Sequence, residues 1–324
     1  SILSNNSQDR VRAPLSMLRV RELRSTDAQG LIALGQRLFA LEDEIFGFST
    51  ETIHKELTQY RFARIVRKLT RKTDRKFYVA EVEGVPVGTT MVNRIGKAWY
   101  ISTVMVHPDY QGRGLGRRLL EQACSEAREF GAKRVILHVR LGSTAAKALY
   151  ASLGFQDFER EVYYARDSED AVQEPLPRGY GLREIDRFDK RGIALADACR
   201  EDASASVYGE TARPLFVERL LWRLLFSGRF ERFVVTVDHA WVGLYSLFVP
   251  SKREAARLQV NDLRDHRGAF ERPLLRRALK RSYELGAPRL VISLDERREE
   301  LVKACNDLGF KKVFEADGMV KLLS

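Results

Sequence analysis

The chain repeats itself at an interval of 155 residues, and this limits its fold more than its composition does. Gly131-Ala132-Lys133-Arg134 recurs as Gly286-Ala287-Pro288-Arg289, and Leu153-Gly154-Phe155 as Leu308-Gly309-Phe310. The same offset carries Val87-Gly88 onto Val242-Gly243 without a gap. A repeat of this length points to duplication of a whole domain, because solenoid repeats are far shorter. The length of 324 residues also suits two domains.

Within the first copy, Ile101–Val106 is apolar and β-branched, which suits a buried strand. Pro108 ends it, since proline lacks the donor that a sheet ladder needs. Gln111-Gly112-Arg113-Gly114-Leu115-Gly116 then sets three glycines on alternate positions, directly before a helical run. Glycine lets a backbone turn tightly and approach a ligand closely. The helix start beyond it turns unpaired amides and a positive dipole end toward the loop, which makes a cradle for a diphosphate. The spacing departs from the dinucleotide-binding G-x-G-x-x-G, and no Gly-Lys-Ser/Thr of a Walker loop follows.

Q-x-x-G-x-G after V-x-V-x-P, with A-x-x-L-Y-x-x-x-G-F about 35 residues later, resembles the GCN5-related N-acetyltransferase (GNAT) superfamily over residues 17–166. The resemblance implies an α/β fold of two tandem GNAT-type domains, each a mixed, mostly antiparallel twisted sheet flanked by helices. It implies acetyl-CoA as co-substrate, with no metal. Val104, Met105 and Val106 would pair with the pantetheine arm. Gln111, Gly112, Arg113, Gly114, Leu115, Gly116 and Arg117 would hold the pyrophosphate, and Tyr150 would lie beside the thioester sulfur. Ser143 stands where the family usually has Asn; a serine there is able to cap the following helix. Arg113, Arg117, Arg118 and Lys147 are the candidates to add charge to the phosphate site, Arg113 and Arg117 first because they lie in the loop and first turn. The solvent side of the helix is the equal alternative for Arg118.

Acyl transfer to an amine needs a neutral nucleophile, a stabilised oxyanion and a proton for the departing thiolate. A phenol with an ordinary pKa of ~10 keeps its proton at neutral pH, so Tyr150 is the candidate acid. The resemblance implies an oxyanion held by a backbone amide where the Val104–Val106 strand splays from its neighbour. The sequence does not select the base. Glu42, Asp43 and Glu44 lie where the resemblance implies the acceptor wall, with a solvated helix face as the plainer reading. His138 faces either the splayed cleft or, more plainly, the core as a satisfied histidine, and His107 reads as a loop residue. Tyr100 and Ser102 are candidates for ordering a water relay.

In chain order, residues 1–13 read as a flexible arm and 14–166 as the catalytic domain. The expected elements are a strand over 17–23, a helix capped at Thr26 or Asp27 and running to Phe46, and a second over 50–68. Strands over 77–82 and 85–93 join through Glu83-Gly84, a hairpin signal. A strand over 98–106 leads to the glycine loop. Apolar positions at 115, 119, 123, 127 and 130 predict one face of a helix that Gly131 ends. A strand over 134–139, a helix over 143–153 and a strand over 155–165 complete the copy. Residues 167–179, acidic and proline-containing, resist packing and read as a linker to a degenerate GNAT-like domain over 180–324.

The second copy is chemically different. At the common offset Gly112, Gly114 and Gly116 become Arg267, Ala269 and Glu271, Arg118 becomes Pro273, and Tyr150 becomes Cys305. A carboxylate at Glu271 would repel a diphosphate at the helix end, so CoA is expected in the first copy alone. Gly268 remains, displaced by one position.

Net charge is +11 with a pI near 9.6. Such an excess attracts polyanions in general, so a non-enzymatic acyl-CoA sensor or a nucleic-acid-associated protein is the alternative reading. No RNP signature or zinc-finger spacing supports it. Three cysteines without C-x-x-C suggest neither a disulfide framework nor zinc. No signal peptide or membrane span is visible, so a cytoplasmic monomer or homodimer, with an amine acceptor as partner, is the expectation.

Overall fold

A computed structural model describes residues 18–38, 45, 75–95, 98–200, 207, 228–250 and 254–323. The expected arm over 1–13, the Glu42-Asp43-Glu44 patch and the helix over 50–68 lie outside these residues. In the first half the strands are β1 (Leu18–Glu22), β2 (Arg75–Val82), β3 (Val85–Ile95), β4 (Ala98–Val106), β5 (Arg134–Arg140) and β6 (Gln156–Asp167). Its helices are α1 (Ala28–Leu38), α2 (Leu115–Glu129) and α3 (Thr144–Ser152). The second half has β7 (Tyr180–Glu184), β8 (Arg229–Val237), β9 (Ala240–Val249), β10 (Ala256–Asp262), β11 (Arg289–Asp295) and β12 (Lys311–Leu322). Its helices are α4 (Lys190–Ala198), α5 (Glu271–Glu284) and α6 (Glu299–Asp307).

Local signals set these elements as expected. Glu83 and Gly84 both take positive φ, 52° and 78°, the pair of left-handed residues that a two-residue hairpin turn requires. Gly131 and Gly154 end their helices at φ 75° and 86°, and their counterparts Gly286 and Gly309 do the same at 78° and 73°. The repeat is thus one of backbone conformation as well as of letters.

What no local signal announces is the order of the sheet. The twelve described strands form one sheet in the order β1-β2-β3-β4-β5-β12-β6-β11-β10-β9-β8-β7. The two expected sheets are joined because the halves exchange their last strands. β12 lies antiparallel between β5 and β6, and β6 lies antiparallel between β12 and β11. Only β4/β5 and β10/β11 are parallel among the described pairs.

Packing follows the exchange. Met319 and Leu323, from the second half, are buried in the first core with Leu115, Leu119 and Val135. Val162 and Tyr164 of β6 are buried in the second core with Leu274, Leu275 and Phe310. Each half therefore contributes core residues to the other, and apolar burial of this kind stabilises by about 25 cal/mol per Å².

Two expectations are corrected here. Residues 168–179 do pack: Ala171 is buried, Gln173 Nε2 donates to the Arg276 carbonyl at 3.2 Å, and Glu174 pairs with Arg272 at 3.1 Å and Arg276 at 2.6 Å. The acidic residues that looked like a solvated tether instead meet cations: Glu174 and Asp170 those of α5, Glu169 that of Arg166 and Asp167 that of Arg289. On α2, Phe130 is 42 % exposed and stacks on Trp99 at 5.4 Å, while Glu126 turns inward. Glu126 is tolerated there because it meets Lys76 and the Tyr78 hydroxyl.

Candidate active site

The sheet opens where β4 and β5 part. Their parallel pairing covers Trp99–Ile101 against Val135–Leu137 and stops there. Thr103, at φ 56°, lies within a register break between β3 and β4, so β4 bends away just beyond the last paired residue. The β4 edge that faces β5 is thereby left without a partner among the described strands over 102–106. A cavity of about 430 Å³ occupies the gap.

Of the residues singled out in the sequence, Val104, Met105, Val106, Gln111, Ser143 and Tyr150 line this cavity. Val104 and Val106 pack toward α2, whereas Met105 packs on the opposite face with Leu31 and Leu34 of α1. Gln111 Nε2 donates to the Val106 carbonyl at 3.0 Å, which ties the loop to the strand end. Ser143 stands at the N-cap of α3, but its side chain makes no capping hydrogen bond. The expectation that it caps the helix is corrected: its backbone, at ψ 64°, does not bring the hydroxyl to the helix amides.

Gly112, Arg113, Gly114, Leu115, Gly116 and Arg117 form the loop and the first turn of α2, outside the cavity wall. Gly112 and Gly114 need φ values of 74° and 78°, and a Cβ on either would meet open space. Their surroundings would admit a side chain; their backbone conformation disfavours one. Gly116 has a different task, because a Cβ there would come within 3.2 Å of Leu149 Cδ2 in the packing of α2 on α3. Leu115 is a core residue and offers only its backbone. Among the described residues, the amides of 112–117 have no backbone acceptor, so the donors expected of a helix start are present.

The basic residues are more committed than their sequence positions suggest. Arg113 lies over the Tyr110 ring at 5.4 Å. Arg117 Nη2 donates to Ser152 Oγ at 2.7 Å. Lys147 Nζ bonds Asp317 Oδ2 at 2.6 Å and Asp157 Oδ2 at 3.0 Å. It ties α3 to the inserted strand β12.

Tyr150, on α3, is 6 % exposed, tilted against Phe155 at 6.2 Å, with its hydroxyl unpaired among the described residues. Burial pushes its pKa up to about 12, so it holds its proton through neutral pH. On the other face of the sheet, His138, Tyr100 and Tyr163 also line the cavity. His138 Nε2 lies 3.1 Å from Glu159 Oε1 and 3.9 Å from Glu161 Oε2. Burial alone would lower the His138 pKa, but the Glu159 hydrogen bond and the two carboxylate charges raise it above the ordinary value. Burial also raises Tyr100, whose ring lies 5.7 Å from His138. Ser102 lines the cavity too. His107 accepts from the Asp109 amide at 3.3 Å, a loop-capping role, and Arg118 is exposed.

Sequence reasoning missed Phe314 and Ala316. Both lie on β12 and both line the first half's cavity.

The equivalent opening in the second half is filled by its own side chains. β10 and β11 pair over Ala256–Leu258 and Leu290–Ile292, then part. Arg298, counterpart of Ser143, is buried there; it donates to the Val260 carbonyl at 2.7 Å and pairs with buried Asp262. Arg267 pairs with Asp262 at 3.2 Å. Glu271, 1 % exposed, accepts from the Gly268 amide at 2.6 Å and the Phe270 amide at 3.0 Å. A carboxylate of the chain itself thus takes the helix-end donors that a phosphate would use.

Residues 36–155 match the model of the acetyltransferase (GNAT) family. That stretch is a GNAT acetyltransferase domain. The chain is 44% identical over 77 residues to the [Ribosomal protein bS18]-alanine N-acetyltransferase of Escherichia coli (strain K12), covering 23% of this chain and 52% of that protein. It is 41% identical over 93 residues to the N-alpha-acetyltransferase RimI of Mycobacterium tuberculosis, covering 27% and 57%. The chain therefore spans about half the length of these curated relatives. Among solved structures, a tandem GNAT protein from the clavulanic acid biosynthesis pathway superposes with a TM-score of 0.61 at 16% identity, over 94% of this chain and 98% of that one. At that identity the likeness carries the fold, and the fold is tandem GNAT.

Proposed function

We propose that the chain is an acetyl-CoA-dependent N-acetyltransferase that moves an acetyl group directly to a primary amine, with the chemistry in the first half. The observation that carries this reading is the cavity at the β4/β5 parting. Among the described residues it has an unpaired strand edge on one side, the glycine loop at one end and a buried phenol at Tyr150 without a hydrogen-bond partner.

The residues present suit acetyl-CoA. The free edge of β4 offers backbone donors and acceptors to a pantetheine amide chain. Gly112 and Gly114 leave the backbone exposed beside the amides of 112–117, which suits a diphosphate. An amide of the bent strand near Val104–Val106 would stabilise the oxyanion as the amine adds to the thioester carbon. The Tyr150 hydroxyl would then protonate the departing sulfur as the C–S bond breaks.

The names of the relatives favour an α-amine at a protein N-terminus as acceptor. Such an amine has an ordinary pKa of ~8, against ~10.4 for lysine, so more of it is neutral at pH 7. Release of free thiol from acetyl-CoA, measured across N-terminal peptides, lysine peptides and small amines, tests the proposal. Thiol release with at least one amine class is expected. Binding of acetyl-CoA with no release across the whole panel would favour the sensor reading.

A further inference from the structure

His138, Gly318 and Glu159 lie in one row across three strands: His138 on β5 is registered with Gly318 on β12, and Gly318 with Glu159 on β6. Histidine and glutamate are therefore two strands apart, yet they meet at 3.1 Å because the residue between them has no side chain. A Cβ on Gly318 would lie 2.7 Å from Glu159 Cγ and 3.2 Å from Glu159 Oε1, with Phe158 Cε1 at 3.0 Å. Contacts this short force a shift, and the glutamate is what must swing away. Gly318 carries no positive φ, so its requirement is for space.

The second half has the corresponding row, displaced by the 155-residue offset, and it is closed. There Ser293 faces Tyr163, and Tyr163 faces Phe314. The two rings pack edge to face at 5.3 Å. A duplicated sheet has thus kept one open row and filled the other. The open one ends at the cavity that holds Tyr150 and Tyr100.

We propose that His138 accepts the proton of the acceptor ammonium, and that Gly318, from the second half, is the positioning residue that lets Glu159 reach and orient it. The proposal rests on the acetyl-transfer reading above. A neutral imidazole that donates Nε2–H to Glu159 keeps its lone pair on Nδ1, which has no hydrogen-bond partner among the described residues. Nδ1 takes one proton from the ammonium. The neutral nitrogen forms the C–N bond, and its second proton passes to solvent as the oxyanion collapses and the C–S bond breaks. The thiolate receives a proton from Tyr150, which is reprotonated from solvent, and His138 releases its proton there. Glu161, 3.9 Å from Nε2 and accepting from Tyr163 Oη at 2.7 Å, adds negative charge where a cationic head group would arrive.

The described groups that face His138 are Glu159 and Glu161 from β6 and Tyr100 from β4, with Gly318 bringing no charge from β12. The carboxylates hold the imidazolium pKa up, so kcat/KM is expected to rise with pH through the His138 titration. Removing the Glu159 charge, or displacing it, is expected to lower the midpoint by about one pH unit, as loss of a neighbouring opposite charge does.

The test follows the His138 ring proton by NMR titration in the full chain, with wild type, Gly318→Ala and Glu159→Gln. The acid limb of kcat/KM is measured in parallel, with an amine that releases thiol. Both variants are expected to lower the midpoint, shift the acid limb to lower pH by the same amount, and reduce the plateau by about tenfold or more, with acetyl-CoA affinity kept. Should Gly318→Ala not fold, Glu159→Gln decides alone. A His138 midpoint unmoved in Glu159→Gln overturns the pairing. A midpoint that moves while the acid limb stays overturns the role of His138 as proton acceptor. If no amine releases thiol, the acetyl-transfer reading fails and the proton-acceptor role with it, while the titration still judges the pair.

Discussion

At the residue scale, Tyr150 joins burial to chemistry. Its phenol is enclosed enough to be held at a pKa of about 12, and its hydroxyl is left without a partner among the described residues. Replacing it by phenylalanine keeps the ring against Phe155 and removes only the hydroxyl, with the proton it would donate. We expect Tyr150→Phe to retain acetyl-CoA affinity and lower kcat by about 10²-fold, the low end of general-acid effects. Steady-state kinetics with a good acceptor checks this; an undiminished kcat would reduce Tyr150 to a packing residue. Tyr150 and the glycines were legible in sequence because their constraints are local: a loop, a helix start, a fixed spacing. The commitments of Lys147 were not legible, because Asp317 lies 170 residues away and nothing periodic connects them.

At the scale of elements, β12 determines how the first half is finished. It fills the place between β5 and β6 and is fastened by Asp317, which is buried and bonded to Lys147 at 2.6 Å and Arg160 at 3.0 Å. Burial works to raise the Asp317 pKa, yet these two cations hold it below the ordinary value. A depressed folded pKa gives stability that is present above the unfolded value, about pH 4, and is lost as pH falls through the folded one. Below about pH 4, the melting temperature of the wild type is expected to fall more steeply than that of Asp317→Asn. Parallel profiles would mean that the ion cluster does not fasten the strand. Each strand and helix of the described first half was readable from period and punctuation. The partner of each last strand was not, because nothing in the local sequence of β6 or β12 names the strand it pairs with; that choice is made by contacts more than a hundred residues away. Glu271 shows the converse: its place in the repeat predicted a repelled diphosphate, and only the structure adds buried Arg298 and Asp262 to the side chains that fill the opening.

At the scale of the whole molecule, the exchange makes the halves interdependent. In the full chain β6 pairs only with β11 and β12 among the described strands. A chain ending at residue 179 would leave it without either neighbour and leave the β5 edge bare. Such a truncation is expected to lose acetyl-CoA binding as a monomer, tested by sedimentation and calorimetry together. A monomeric 1–179 fragment that binds with full affinity would show that β12 is dispensable. The second half then serves the first by completing its sheet and lining its cavity through Phe314 and Ala316.

The open cavity in the first half and the filled one in the second leave one cofactor site per chain among the described residues. Titration of the full-length protein with acetyl-CoA in a calorimeter tests it most directly, with Gly114→Leu as the comparison. Position 114 needs φ 78° and stands at the start of α2, so a leucine both strains the turn and blocks the backbone. A stoichiometry near one is expected, with affinity weakened about tenfold or more in the folded variant. A stoichiometry near two, or an affinity unchanged by Gly114→Leu, would contradict it.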